Sequence, residues 1–262
     1  MTTQSISIIG AGNLAWHLAP ALDNMGYIVK EVYSRNPLHA KALTARLYQA
    51  EVKATLDFST SSSHIFIIAV SDDAIRSIAQ EIILPDDAIL AHTSGSQPLS
   101  LLGYAATPHI GVIYPLQTFS KQKKVDFSTI PFFIESDTPE AEKYLTRMAG
   151  SISNEVHRIG STERKALHVA AVFASNFTNH MLSISKELLE ENSMNFDLLK
   201  PLITETLNKA LTIGPEEAQT GPAIRGDIEI LDKHHEFLQN DESIATLYKL
   251  ISQHIIDRYN KG

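Results

Sequence analysis

A few residues into the chain, an apolar run at residues 6–9 passes directly into Gly10-Ala11-Gly12-Asn13-Leu14-Ala15, and a helical pattern begins at once. This strand–glycine turn–helix order constrains the fold more than any other feature of the chain, because G-x-G-x-x-A in that context opens a parallel β-α-β unit. Gly10 permits the tight turn. Gly12 lets a pyrophosphate come close to the backbone, and Ala15 is small enough for the helix to lie against the strand. The free N–H groups and positive dipole end of the helix then face the anion. Gly10, Ala11, Gly12, Asn13 and Leu14 are therefore candidate cofactor contacts.

The pattern that follows agrees. Apolar runs at 28–33, 65–70, 88–91, 111–114 and 131–134 read as further strands, and helical stretches at 13–25, 38–48, 73–80 and 139–148 lie between them. Strands that are apolar on both faces and alternate with helices predict a mainly parallel sheet covered on both sides, an α/β fold of Rossmann type. After Val156 no strand is evident. Ser161 or Thr162 is placed to cap one long helix to about Glu191, and helices follow at 197–211, 228–238 and 242–259, the last with Asp241 as its cap. The expected division is a dinucleotide-binding domain over 1–157 and an all-α domain over 158–262.

The end of the second strand bears on which nucleotide fits. NAD sites place an acid on the ribose 2′-hydroxyl about 20 residues beyond the glycine turn. Here the strand ends in Ser34-Arg35-Asn36, and Glu31 lies too early in it to reach. Ser34 can donate to a 2′-phosphate and Arg35 can pair with it, so NADP is the expected cofactor. The 65–70 strand ends in Val70-Ser71-Asp72-Asp73. Val70 and Ser71 should border the cofactor, and Asp72 or Asp73 should cap the next helix.

A net charge of −8 opposes binding to a polyphosphate backbone, so nucleic acid is not an expected partner. The absence of cysteine removes thiolate chemistry and disulfides, and suits a reducing compartment. With no basic-then-apolar leader and no apolar run of membrane length, the expected location is the cytoplasm. Adjacent His234 and His235 face different ways on a helix, and no metal site is expected.

Candidate chemistry lies in three places. Loops containing His92-Thr93-Ser94-Gly95-Ser96 and Tyr114-Pro115-Leu116-Gln117-Thr118-Phe119 leave the carboxyl ends of strands, so Ser94 and Tyr114 are candidate substrate contacts. Lys165, His168, Asn176 and His180 fall on one stripe of the long helix at 100° per residue. Lys165, His168 and Asn176 are candidate catalytic residues that could polarise a carbonyl and exchange its proton. Arg225, in Thr220-Gly221-Pro222-Ala223-Ile224-Arg225-Gly226-Asp227, could clamp an anion, with Asp227 capping the helix after it. Lys121, Lys123 and Lys124 read as a solvated loop.

Taken in order, the fingerprint with Ser34-Arg35, the 92–96 loop, the 114–119 segment, Leu167-His168-Val169-Ala170-Ala171-Val172-Phe173-Ala174-Ser175-Asn176-Phe177 and the 220–227 segment resemble the Rossmann-like proteins with a helical C-terminal domain of unknown function, labelled NADP oxidoreductases. More distantly the chain is similar to pyrroline-5-carboxylate reductase, the deazaflavin-dependent NADP oxidoreductases, prephenate dehydrogenase and the β-hydroxyacid dehydrogenases. The resemblance implies a C-terminal domain like that of 6-phosphogluconate dehydrogenase. It also implies hydride transfer between NADP(H) and a small, anionic carbonyl or imine compound in an interdomain cleft, and a homodimer made through the helical domain. The rival expectation is a nucleotide-binding sensor or scaffold without turnover; a deazaflavin or flavin redox partner ranks behind both.

Overall fold

The computed structural model describes residues 4–259. The chain packs as two compact units, one reaching to Asn176 and the other starting at Phe177.

The first unit is built on one eight-stranded sheet with the order β3-β2-β1-β4-β5-β6-β7-β8. Its strands are β1 (Ser5–Ile9), β2 (Ile28–Tyr33), β3 (Glu51–Lys53), β4 (Ile65–Ile68), β5 (Ile89–His92), β6 (His109–Pro115), β7 (Phe132–Ser136) and β8 (Val156–Arg158). All neighbours pair in parallel except β6 and β7, so the expected mainly parallel sheet is present. β4 and β5 are buried at every residue, and β1 at all but its first. Strands covered on both faces can afford no polar side of their own, which is why they read as unbroken apolar runs.

Two edge strands escape the apolar pattern. β3 carries Glu51 and Lys53, and β8 starts at Val156, after which no strand is evident from the sequence. Both are three residues long and largely exposed, so backbone pairing rather than side-chain burial defines them.

Helices α1 (Asn13–Asn24), α2 (Pro37–Thr44), α3 (Ile75–Glu81), α4 (Pro139–Ile152) and α5 (Ser161–Ala171) complete this unit. α1 buries Ala15, Leu18, Ala19 and Leu22 against the sheet, at helical spacing. Its interior Pro20 has no N–H to give the Trp16 carbonyl one turn back. The Arg46 guanidinium donates to that carbonyl instead. Two core clusters result, one on each face of the sheet, holding Ile6 and Ile8 on one side and Ile9, Phe66 and Ile68 on the other.

The expected long helix is interrupted. α5 gives way to a π-helical segment at Val172–Phe177 before α6 (Thr178–Glu191) begins. Nor does Ser161 or Thr162 cap it. The N-cap is Gly160, and the Ser161 hydroxyl donates to Glu135 Oε1 at 2.5 Å. β8 and α5 thus pack with the sheet, and the first unit extends past the division expected at 157/158.

The second unit continues from α6 with α7 (Lys200–Ile213), α8 (Pro215–Ala218), α9 (Pro222–Arg225), α10 (Ile228–Phe237) and α11 (Glu242–Tyr259). Asp241 caps α11 as expected, accepting from the N–H groups of Ser243 and Ile244 at 3.0 Å. Asp227 takes the N-cap position of α10 as expected, but its side chain makes no cap hydrogen bond: the carboxylate is taken by Arg225, whose Nε donates to it at 2.8 Å. No described helix is long and apolar enough to cross a membrane.

Candidate active site

The carboxyl ends of β2, β1, β4, β5 and β6 stand side by side in sheet order, and a cavity of about 820 Å³ runs along them. At about 4.8 Å per strand, that row spans roughly 19 Å, the scale of an extended dinucleotide. Each loop leaving these strands contributes.

Beyond β2 the cavity is lined by Ser34, Arg35, Asn36 and His39. Asn36 caps α2 by accepting from the Leu38 N–H at 3.0 Å, so the turn that presents Arg35 is held in place while the guanidinium stays exposed. Glu31 is directed to other partners, as expected: it accepts from Ser7 at 2.6 Å and lies 3.7 Å from Lys53.

Beyond β1 lie Gly10, Ala11, Gly12, Asn13 and Leu14, all at the cavity wall. Gly10 has φ +120°, and a Cβ there would run into the Ala69 carbonyl oxygen, so glycine is required on both counts. Gly12 is the N-cap of α1 and supplies no side-chain cap, which leaves the first N–H groups of the helix to whatever occupies this end of the cavity. These features fit a diphosphate.

Beyond β4 come Val70, Ser71 and Asp72. The Asp72 carboxylate accepts from the Ser96 hydroxyl, which ties this loop to the one after β5, and the N-cap at the start of this segment is Ser71. The capping role expected of Asp72 or Asp73 is therefore not the one observed. Asp73 is held below the usual carboxylate range, first by its hydrogen bond to Ser71, with Arg35 adding to it.

Beyond β5 the chain folds back on itself. Ser94 Oγ accepts from the N–H groups of Ser96 and Gln97 at 3.1 and 3.0 Å, and buried His92 accepts from the Ser94 N–H at 3.1 Å. Burial, reinforced by the Arg164 guanidinium, lowers the His92 pKa to about 4, so the ring is neutral at physiological pH.

At the end of β6, Tyr114 is 8% exposed and hydrogen-bonded through its hydroxyl to His168 Nδ1 of α5 at 3.1 Å. The two rings meet edge to face at 5.9 Å. Burial raises the Tyr114 pKa, so the phenol keeps its proton through the neutral range. Both residues line the cavity, and Gly95 lies between them and the β5 loop: a Cβ at Gly95 would sit 2.6 Å from His168 Nδ1 and from the Tyr114 ring. The arrangement offers a proton on a held hydroxyl, backed by an imidazole, at the opposite end of the strand row from Arg35.

The stripe predicted on the long helix does not hold together. His168 lines the cavity, whereas Lys165 and Asn176 are exposed and lie outside its lining. The stripe assumed uniform 100° steps, and the wider π turn at Val172–Phe177 carries Asn176 and His180 off that register. Arg225 lies in the second unit, exposed and paired with Asp227. Lys121, expected in solvent, lines the cavity with its Nζ 4.9 Å from the Trp16 ring centroid.

Residues 2–113 match the family described as a Rossmann-like domain, and residues 130–255 match a domain of unknown function, DUF2520. A crystal structure described as "putative NADP oxidoreductase BF3122" from Bacteroides fragilis is 40% identical, the alignment covering 97% of this chain and 98% of that one at a TM-score of 0.89. The chain belongs to this family of Rossmann-like DUF2520 proteins. Protein TM1727 from Thermotoga maritima (23% identity, 96% and 97% covered, TM-score 0.69) shares the fold. So does a reductive aminase from Aspergillus terreus in complex with NADPH and ethyl levulinate (13%, 98% and 95%, 0.74). No curated protein matches the chain.

In this DUF2520 protein the sequence reading missed Arg164, one turn before His168 and only 1% exposed. Its guanidinium donates to Glu135 Oε2 from Nη2 at 2.7 Å and from Nε at 3.1 Å. Nη1 donates to the carbonyls of Ser94, Gly95 and Gln97 at 2.8, 3.2 and 2.9 Å. The spacing held a clue: residues i and i+4 share a helix face, so an inward His168 implies an inward Arg164.

Proposed function

We propose that the protein is an NADP-dependent oxidoreductase that transfers a hydride between NADP(H) and a small, anionic carbonyl or imine compound. The observation that carries this reading is the single cavity joining the Gly10–Gly12 turn and Arg35 to the Tyr114–His168 pair across five neighbouring strand ends. NADPH, when bound, supplies the hydride. The α1 amides and the Gly10 turn hold the diphosphate, Val70 and Ser71 border it, and Ser34 and Arg35 hold the 2′-phosphate. At the other end, Tyr114 and His168 hold a proton for the substrate's oxygen or nitrogen. Lys121 gives the cavity a cation apart from Arg35 to meet an anionic substrate. Among Lys165, His168 and Asn176, the proton-handling role rests on His168, which alone of the three lines the cavity.

The cofactor reading is tested by calorimetry with NADPH and NADH on the wild type and on Arg35→Ala. Loss of a charge-assisted phosphate contact should weaken NADPH by roughly 10- to 100-fold, about 1.5–3 kcal/mol, and leave NADH nearly unchanged. Equal affinity of the wild type for the two would end the NADP assignment.

We also propose a homodimer made through the helical unit. α6 and α7 contain no buried residue, and Leu198, Leu202 and Leu211 are exposed on the 198–211 stretch. Amphipathic helices without a buried face call for a covering surface. Sedimentation velocity should give a dimer for the wild type and a monomer for the Leu202→Glu/Leu211→Glu variant. A monomeric wild type at micromolar concentration would remove this proposal.

A further inference from the structure

The contacts of Arg164 enclose the strand that carries Tyr114. β6 lies between β5 and β7 in the sheet. Arg164 holds the loop that leaves β5 through three carbonyls and holds β7 through Glu135, and it sits on the helix that presents His168. Glu135 pairs in register with Val112, and Tyr114 with Phe133, so the anchor on β7 is two residues from the position opposite Tyr114.

This one side chain thus joins the elements that flank β6 on both sides to the helix that carries His168. Three carbonyl oxygens converge on one nitrogen in a buried place, where acceptors without a donor repel one another and lose their water. The cation is what lets the loop take that shape. The loop in turn puts Gly95 against Tyr114 and His168, with no room for a side chain. One helical turn separates Arg164 from His168, so fixing the first fixes the height and facing of the second.

We infer that Arg164 is the positioning residue of this site, holding the 94–97 loop and α5 so that the Tyr114 hydroxyl and His168 Nδ1 stay in hydrogen-bond contact. The inference gives a chemical purpose to that contact only if the oxidoreductase reading holds, but the contact itself is measurable without substrate. Arginine is required rather than lysine, because a planar fork reaches a carboxylate and several carbonyls at once whereas an ammonium acts as a point donor.

The test is the side-chain 15N shift of His168 Nδ1 in protein labelled at histidine, compared at one pH among wild type, Tyr114→Phe, Arg164→Met and Arg164→Lys. Tyr114→Phe removes the hydroxyl and defines the shift of the broken contact. Arg164→Met should move His168 Nδ1 to that value, and Arg164→Lys should fall between it and the wild type. A wild-type shift in Arg164→Met overturns the inference. Should Arg164→Met fail to fold, Arg164→Lys decides, since a wild-type shift there overturns the need for the fork. Calorimetry of the unsubstituted protein with NADPH separates the two ideas: absent binding removes the oxidoreductase reading, while the histidine shift reports on Arg164 alone.

Discussion

The two units of this chain solve the burial problem differently. In the first, whole strands such as β4 and β5 are removed from solvent, and even a charged side chain, Arg164, is enclosed and fully bonded. In the second, the described buried residues are Ala223, Leu231, Leu238, Ala245 and Ser252, while Leu211 is 86% exposed and Phe237 65%. A parallel sheet with helices on both faces closes its own core. Helices that bury almost nothing do not. The first unit therefore closes a core of its own, whereas the second leaves most of its large apolar side chains on its surface.

The sharpest way to break this contrast is to remove the same side-chain charge from each unit. Arg164→Met leaves Glu135, 13% exposed, without its cation and three carbonyls without their donor, and should cost the first unit roughly 3–5 kcal/mol. Arg225→Met removes a pair whose arginine is 62% exposed and should change stability by less than about 1 kcal/mol. Denaturant unfolding of both variants checks this. Equal losses would mean that enclosure does not set the energetics, and the contrast between the units would lose its physical basis.

What could be read from the sequence follows the same line. The glycine turn, β1, β4 and the basic end of β2 were legible because each rests on local chemistry: a positive φ, an unbroken apolar run, a side chain suited to phosphate. β3 and β8 were not, since strands of three residues at sheet edges carry charged residues and are defined by their neighbours. Arg164 was hidden for a related reason. Its partners Glu135 and the 94–97 carbonyls are 29 and about 70 residues away, and a charged residue in the first turn of a helix ordinarily reads as solvated. The π segment is a slip in hydrogen bonding that no residue type announces, and it undid the predicted grouping of His168 with Asn176.

A second and slightly smaller effect sharpens the contrast through pH. His92 in the folded first unit has its pKa lowered to about 4, against about 6.5 when unfolded. Between those values the unfolded chain binds the extra proton, so stability falls as pH drops from about 6.5 to about 4 and is fully present above that window. The loss is roughly 3 kcal/mol at 1.36 kcal/mol per unit. Denaturant titrations at pH 7 and pH 4.5 should show it for the wild type and should show a much flatter dependence for His92→Gln. An unchanged slope in that variant would mean the acid sensitivity arises elsewhere.

The smallest effect lies within the second unit, where two aspartates expected in the same role are placed differently. Asp241 accepts from the Ile244 and Ser243 N–H groups at the start of α11 and from the Ser243 hydroxyl, and these bonds, that from Ile244 first, hold its carboxyl below the usual range. Asp227 stands at the N-cap of α10 but gives its carboxylate to Arg225 and none of it to the helix N–H groups. Asp241→Ala should therefore lower the melting temperature, and Asp227→Ala should lower it less. The Asp241 contribution is present above the unfolded carboxylate value near 4 and is lost as pH falls through the lower folded value, beneath the window in which His92 acts. Paired thermal melts at pH 7 resolve the two variants. If Asp227→Ala proves the more damaging, the 220–227 turn rather than the α11 cap holds the helical unit together, and Arg225 with Asp227 would be its structural clasp.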